Sequence, residues 1–239
     1  MDVLAAEHTV VGPDFPGSGR TPRSGAPLTL DGLADALVGA AVEEGLETFA
    51  VSGFSLGAAV AVRAAARHPD RVTALVLTAG FAYPNPRFLL AARLWRDMLR
   101  RGALEELAGL LSLIGLSAPV VDALDEDELA AAVTTGAATV PPGTPEHVDL
   151  IISGVDVRGD LPGLAVPTLV ISTTLDQLVT PPHHRQLADG IPGARYAEIA
   201  TGHLPFLERP DEWAALIRDF LRQESSTAAT ASISTSWSA

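Results

Sequence analysis

The 239-residue chain contains no cysteine and no lysine, and these two absences remove several chemistries at once. Without cysteine there is no disulfide, no thiolate metal site and no cysteine nucleophile. Without lysine, all 16 cations are arginines set against 29 carboxylates, for a formal charge of −13. No basic run or basic face emerges, so neither nucleic acid nor an anionic membrane is expected as a partner. Asn85 is the single asparagine, and the wealth of Ala, Gly, Pro, Arg and Val reads as a codon bias, not a function. Met1-Asp2-Val3-Leu4 lacks the charged and then apolar segments of a secretion leader, and no apolar run approaches a bilayer span. A soluble, cytoplasmic protein is the expectation. At 47% hydrophobic and 19% charged residues, the chain can bury one sizeable core with room for an inserted subdomain.

What is present alternates. Val3 to Glu7 reads as a scrap of helix and Thr9 to Val11 as a brief buried strand, followed by a tight loop forced by Pro13, Pro16, Gly17 and Gly19. Thr29 is placed to cap a helix whose Leu33, Leu37, Ala40 and Ala41 share a face before Gly45 closes it. Phe49 to Ser52 is a short apolar strand, and Ala58 to Arg67 is a helix of strong formers that stops before Pro69. Val72 to Thr78 is an uninterrupted apolar strand of the kind that helices cover on both faces. From Phe81 to about Val166 the alternation gives way to helical patterns at 88–100 and 104–115, an acidic helix start at Asp125-Glu-Asp-Glu, and a Pro-rich turn from Val140. Thr168 to Thr173 and Arg195 to Ile199 resume the strands, and Trp213, Leu216, Ile217, Phe220 and Leu221 mark a closing amphipathic helix. The pattern predicts a mostly parallel α/β sheet flanked by helices, with residues 1–80 and 166–222 as core, 81–165 as an inserted helical cap and 223–239 as a tail too poor in apolar residues to order itself.

Gly53-Phe54-Ser55-Leu56-Gly57 lies where a strand runs into a helix, the setting of a nucleophile elbow. Such an elbow holds a serine at the tip of a sharp, strained turn, with flanking glycines leaving room and the next residue's N–H, here that of Leu56, offered to an oxyanion. The pattern alone is weak, and the strand and helix around it supply the context. Asp176 follows the strand at Thr168, and His203 follows the last strand. With Ser55, they sit at strand carboxyl ends, where open α/β sheets place ligands. Serine is a poor nucleophile until a histidine takes its proton, and the histidine in turn needs a carboxylate to fix its tautomer and stabilise its charged form. The order Ser, acid, His completes the pattern.

On these residues the chain resembles the α/β-hydrolase superfamily, more closely its cap-bearing branch of enol-lactonases, proline iminopeptidases, carbon-carbon bond hydrolases and cofactor-free haloperoxidase-like esterases. The resemblance covers residues 1 to about 222. Gly12-Pro-Asp-Phe-Pro-Gly-Ser-Gly-Arg is similar to the family's loop after its fourth strand. Further support comes from the elbow, from Leu161-Pro-Gly-Leu-Ala-Val-Pro-Thr-Leu-Val-Ile leading to Asp176, and from Gly202-His203 followed by Glu208-Arg-Pro-Asp-Glu. The resemblance implies an α/β-hydrolase fold and a serine hydrolase that needs no cofactor, acting on a small or medium apolar ester, lactone or related carbonyl compound. Ser55, His203 and Asp176 would form its triad, Leu56 would be an oxyanion donor, and Phe54, Phe81, Tyr83 and Trp95 would line a pocket beneath the cap. A non-hydrolytic member of the same fold, a ligand-binding module or a cyclase or lyase, is the alternative. Oligomerisation with further copies of the chain stays open.

The sequence departs from the family at its start. The strand ending in His-Gly, whose following N–H supplies a second oxyanion donor, should precede Val3 and lie between the strands at Thr9 and Phe49. The expectation is that the chain lacks its true beginning, with neighbouring strands separated by two strand spacings, roughly 10 Å. Other candidates read as structural. The acidic cluster at Asp125 suits a helix N-terminus. His183 and His184 point apart in a helix's first turn after Pro181-Pro182, and His8, His68 and His147 have no partner spacing, so no metal site is expected. A competing acid position after the Val72 strand is empty, because Ala79 to Arg87 carries no carboxylate.

Overall fold

The computed structural model describes the backbone of residues 2–234 and the side chains of residues 4–224. The apolar runs form four parallel strands, β1 (Phe49–Phe54), β2 (Val72–Thr78), β3 (Thr168–Thr173) and β4 (Arg195–Ile199), hydrogen-bonded in the order β1-β2-β3-β4. Phe54 pairs with Thr78, Thr78 with Ile171, and Ile171 with Ala197, which gathers the carboxyl ends of all the strands along one rim. Helices α1 (Asp2–Ala5) and α2 (Leu30–Glu43) precede the sheet, and α3 (Leu56–Arg67) links β1 to β2. Between β2 and β3 come α4 (Pro86–Arg101), α5 (Leu104–Gly115), α6 (Ala118–Asp122), α7 (Glu126–Ala138) and α8 (Thr144–Gly154). Helix α9 (Pro181–Gly190) links β3 to β4, and α10 (Pro205–Glu208) and α11 (Pro210–Ser234) follow. Among the described residues no helix is long and apolar enough to cross a membrane.

Strand alternation divides the core. Leu75, Leu77 and Val170 face a large cluster with Val60 of α3, Leu33 of α2 and Leu187 of α9, whereas Ala74, Val76, Leu169 and Ile171 face Ile217 and Phe220 of α11. Both faces of β2 and β3 are therefore buried, which is why these strands read as continuous apolar runs. Each fully buried Leu, Ile or Val contributes about 1.5–3 kcal/mol. The helical insertion contributes to this core. Phe88 and Ala92 of α4 and Val148, Leu150 and Ile151 of α8 join the same large cluster as the sheet.

Local signals explain the helix ends. Thr29 accepts a hydrogen bond from Gly32 N at 3.0 Å, and Asn85 accepts one from Phe88 N at 2.9 Å, each satisfying an N–H that the helix leaves open. Asp125 and Glu128 form a reciprocal capping box, so two members of the acidic cluster hold a helix start.

Two expectations need correction. Residues 9–11 form no strand, and Val10 is 37% exposed. A strand persists only where its backbone groups find a ladder, and among the described residues none pairs with this segment or with the outer edge of β1. The tail expected to stay unordered from residue 223 continues α11 as far as Ser234, since adding a residue to an existing helix avoids the cost of nucleation. Residues 235–239 of that tail lie outside the described residues.

Candidate active site

Ser55 stands at the junction of β1 and α3 with φ 53° and ψ −119°, a left-handed conformation that a residue with a side chain rarely adopts. Holding it there costs on the order of 1–3 kcal/mol. The surroundings offset that cost: Ser55 N donates to Thr78 O at 3.0 Å, continuing the ladder, and Ser55 O accepts from Ala58 N at 3.0 Å, opening the helix. Gly53 is required for close approach, because a Cβ there would lie 2.2 Å from the Gly57 carbonyl oxygen. Gly57 itself has open space at its own Cβ position, so what crowds the turn is its carbonyl. Leu56 is the first residue of α3, and its N–H belongs to the helical turn that has no acceptor within the helix.

Asp176 and His203 reach Ser55 from beyond the ends of β3 and β4. Asp176 is 3% exposed, and its carboxylate accepts four hydrogen bonds. Oδ1 takes the N–H groups of Leu178 and Val179, both at 2.9 Å, and Oδ2 takes Thr173 Oγ1 at 3.0 Å and His203 Nδ1 at 2.7 Å. A carboxylate can only accept, so His203 carries its proton on Nδ1. That leaves Nε2 as an acceptor facing Ser55 Oγ at 3.0 Å. The serine can donate along that line. The structure thus brings Ser55, His203 and Asp176 into one hydrogen-bonded chain.

The expected pocket residues fare differently. Phe54 packs its ring on the His203 imidazole at 4.8 Å and on Phe206 at 5.1 Å, so it buttresses the histidine. Phe81 is 0% exposed and packs edge-on against Phe88 at 4.9 Å, which corrects its expected place in a pocket: it is core. Tyr83 has the Arg158 guanidinium over its ring at 4.1 Å. Trp95 packs against the main core cluster. Apolar residues of the insertion read from sequence cannot be divided into lining and core, because both are equally hydrophobic.

The sequence reading missed other residues around the site. His183 and His184 begin α9 as expected, yet both are buried. His184 Nδ1 lies 3.0 Å from Ser172 Oγ, and its Nε2 lies 4.0 Å from Asp176 Oδ2. Burial pushes the His184 pKa down to about 4 against the opposing pull of Asp176, so its ring is neutral at pH 7. Glu208 accepts from the backbone N–H of Gly202 and of Ser117, holding the loop that carries His203. The Glu208-Arg-Pro run was visible in the sequence, but nothing in its spacing pointed to these partners.

The sequence model of the alpha/beta hydrolase fold matches residues 1–210. The chain belongs to the α/β-hydrolase fold family. Within this family it is 33% identical over 228 residues to the pyrrolizixenacetamide deacetylase of Xenorhabdus hominickii, covering 94% of this chain and 84% of that protein. It is 31% identical over 234 residues to a pimeloyl-[acyl-carrier protein] methyl ester esterase of Neisseria meningitidis, covering 92% and 86%. Among solved α/β hydrolases, the enol-lactonase from Burkholderia xenovorans LB400 superposes with a TM-score of 0.74 at 28% identity, covering 86% of this chain and 78% of that one.

Proposed function

We propose that this protein is a serine hydrolase that cleaves a small or medium apolar ester, lactone or related carbonyl compound through an acyl-enzyme. One observation carries the reading: a serine strained at an elbow, φ 53°, with Oγ 3.0 Å from an imidazole that a buried carboxylate holds at 2.7 Å. Ser55 Oγ attacks the carbonyl carbon while its proton passes to His203 Nε2. Asp176 keeps the ring in the accepting tautomer and stabilises the imidazolium. The Leu56 N–H donates to the oxygen that gains charge. His203 then gives its proton to the departing alcohol, and a water deprotonated by the same nitrogen cleaves the acyl-Ser55 bond. The helical insertion between β2 and β3 acts as a cap over the substrate. Relatives named as a deacetylase, an ester esterase and an enol-lactonase all act at carbonyl carbons, which agrees with this reaction class.

A fluorophosphonate probe tests the reading, because it traps an activated serine covalently. Wild-type protein should label at one site, and Ser55→Ala should neither label nor hydrolyse short-chain aryl esters while keeping its circular dichroism. Turnover retained in that variant overturns the acyl-enzyme. A wild-type protein that resists the probe and cleaves no ester points to the non-hydrolytic alternative.

A further inference from the structure

We propose that Glu208 is a positioning residue that fastens the His203 loop to the α5–α6 turn of the helical insertion, so that the insertion and the general base are set as one unit. The proposal rests on the roles given above to Ser55 and His203. Three separate contacts join the two segments. Glu208 Oε1 accepts from Ser117 N at 2.9 Å, across 91 residues of chain, and from Gly202 N at 3.1 Å. His203 N donates to the Gly115 carbonyl at 2.6 Å. Gly202 packs so tightly against the turn that a Cβ there would lie 2.5 Å from Gly115 O, Leu116 C and Ser117 N. The turn's own unsatisfied groups are thereby used in both directions, a carbonyl at the end of α5 and an N–H at the start of α6.

Glu208 has no competing role in this arrangement. The adjacent cation, Arg209, turns to Glu212 at 3.2 Å. The carboxylate instead reaches back over Gly202, so its oxygens fix the peptide that immediately precedes the histidine. Ser117 is 2% exposed, and the hydrogen bond to its N–H is partly shielded from water, where it holds geometry best. A misplacement of a catalytic group by about 1 Å can cost about 10²-fold in rate. Loosening this junction shifts His203 relative to Ser55 Oγ without touching either side chain.

The experiment compares Glu208→Ala, Glu208→Gln and Ser117→Pro with wild type and Ser55→Ala in the full-length protein. The readouts are aryl ester kinetics and fluorophosphonate labelling rates across pH, together with thermal unfolding. Glu208→Ala should lower kcat and the labelling rate about 10- to 100-fold with KM within about threefold, the signature of misplaced chemistry rather than lost substrate binding. Glutamine keeps an Oε1 acceptor for both N–H groups and gives up only the longer Oε2 contact to Gly202 N at 3.2 Å, so Glu208→Gln should return to within about threefold of wild type with an unmoved pH profile. Ser117 has φ −70°, which proline adopts, so Ser117→Pro removes the N–H on the insertion side along with the hydroxyl, and sets the ring Cδ where Glu208 and Gly202 pack; it should loosen the same junction and lower kcat. If Ser55→Ala is inactive and Glu208→Ala turns over at the wild-type rate, the positioning role is overturned while the hydrolase reading stands. A Glu208→Gln variant as slow as the alanine, with a displaced pH profile, means that the carboxylate charge acts on the imidazolium, and this also overturns it. If Glu208→Ala does not fold, Ser117→Pro decides: kcat equal to wild type sinks the proposal. Activity surviving in Ser55→Ala overturns the underlying reading instead.

Discussion

Ser55 Oγ lies 3.0 Å from His203 Nε2, and Ser172 Oγ lies 3.0 Å from His184 Nδ1. Both imidazoles face the same carboxylate oxygen, Asp176 Oδ2, at 2.7 Å for His203 and 4.0 Å for His184. By residue type and serine–histidine distance the two sets match. Their settings do not. Ser172 is 0% exposed within β3, on the sheet face where His184 of α9 covers it, so a carbonyl compound could reach it only by lifting that helix from the sheet. Ser55 is partly exposed at a strand tip, in a backbone conformation that holds its hydroxyl clear of the sheet. Access and the elbow, not the spacing of serine, histidine and aspartate, distinguish a candidate nucleophile from a satisfied buried hydroxyl.

The largest effect separates the two serines directly. Ser55→Ala should lower kcat by on the order of 10⁶, the scale on which removing a triad nucleophile acts. Ser172→Ala should leave kcat within about threefold of wild type and cost about 1–3 kcal/mol of stability, because His184 Nδ1 loses its buried partner. Steady-state ester hydrolysis and denaturant unfolding of both variants check this. A Ser172→Ala variant that folds normally and does not turn over would reverse the comparison.

Asp176 is where the two sets meet, and Asp176→Asn probes which imidazole depends on it. An amide presents an N–H where a carboxylate would accept, which favours the wrong His203 tautomer and should lower kcat by about 10⁴. The Leu178 and Val179 N–H groups can still be satisfied by the amide oxygen, so the fold should persist. A near-normal rate in this variant would remove Asp176 from the proposed chemistry.

The same contrast shows what the sequence could and could not disclose. Strands β2, β3 and β4 were legible to the residue, β2 and β3 because runs buried on two faces interrupt a polar background sharply, and β4, whose Arg195 and Glu198 are exposed, because Pro192-Gly193 and Gly202 bound it. Ser55, Asp176 and His203 were legible because each follows a strand end, and parallel strands bring such ends to one rim. Thr9 to Val11 misled, since three β-branched residues in a row carry strand propensity but cannot supply the neighbour that a ladder needs. His184, Ser172 and Glu208 stayed hidden for a different reason. Their contacts are set by how α9 and the α5–α6 turn pack, and Glu208 acts on backbone N–H groups that every residue type except proline carries.

The smallest expected effect concerns His184, and its sign follows from burial. The ring is 0% exposed, and its pKa is pushed from 6.5 down to about 4, with burial the larger cause and Asp176 opposing it. Protonating it in place would put a cation among His203, His183 and apolar neighbours, with the Asp176 carboxylate and a backbone hydrogen bond to Val179 favouring it too weakly to offset burial. Between pH 6.5 and about 4, the unfolded chain takes up a proton at residue 184 that the folded chain refuses. The stability contributed by the neutral ring is therefore complete above pH 6.5 and is lost as pH falls toward 4, with a slope of at most about 1.4 kcal/mol per pH unit. His184→Asn keeps a polar atom near the Nδ1 position for Ser172 but cannot titrate, so it should cost stability at pH 7.5 through the lost ring and then lose less on acidification. Burial also lowers the pKa of His183, but that residue is present in both proteins and cancels in the difference. Melting curves at pH 7.5, 5.5 and 4.5 should show the gap between wild type and variant narrowing, by about 2–4 °C for each kcal/mol of linkage in a chain of this size. Parallel curves would mean that His184 binds its proton equally in the folded and unfolded chains, and the second serine–histidine pair would no longer be a neutral, buried support for Asp176.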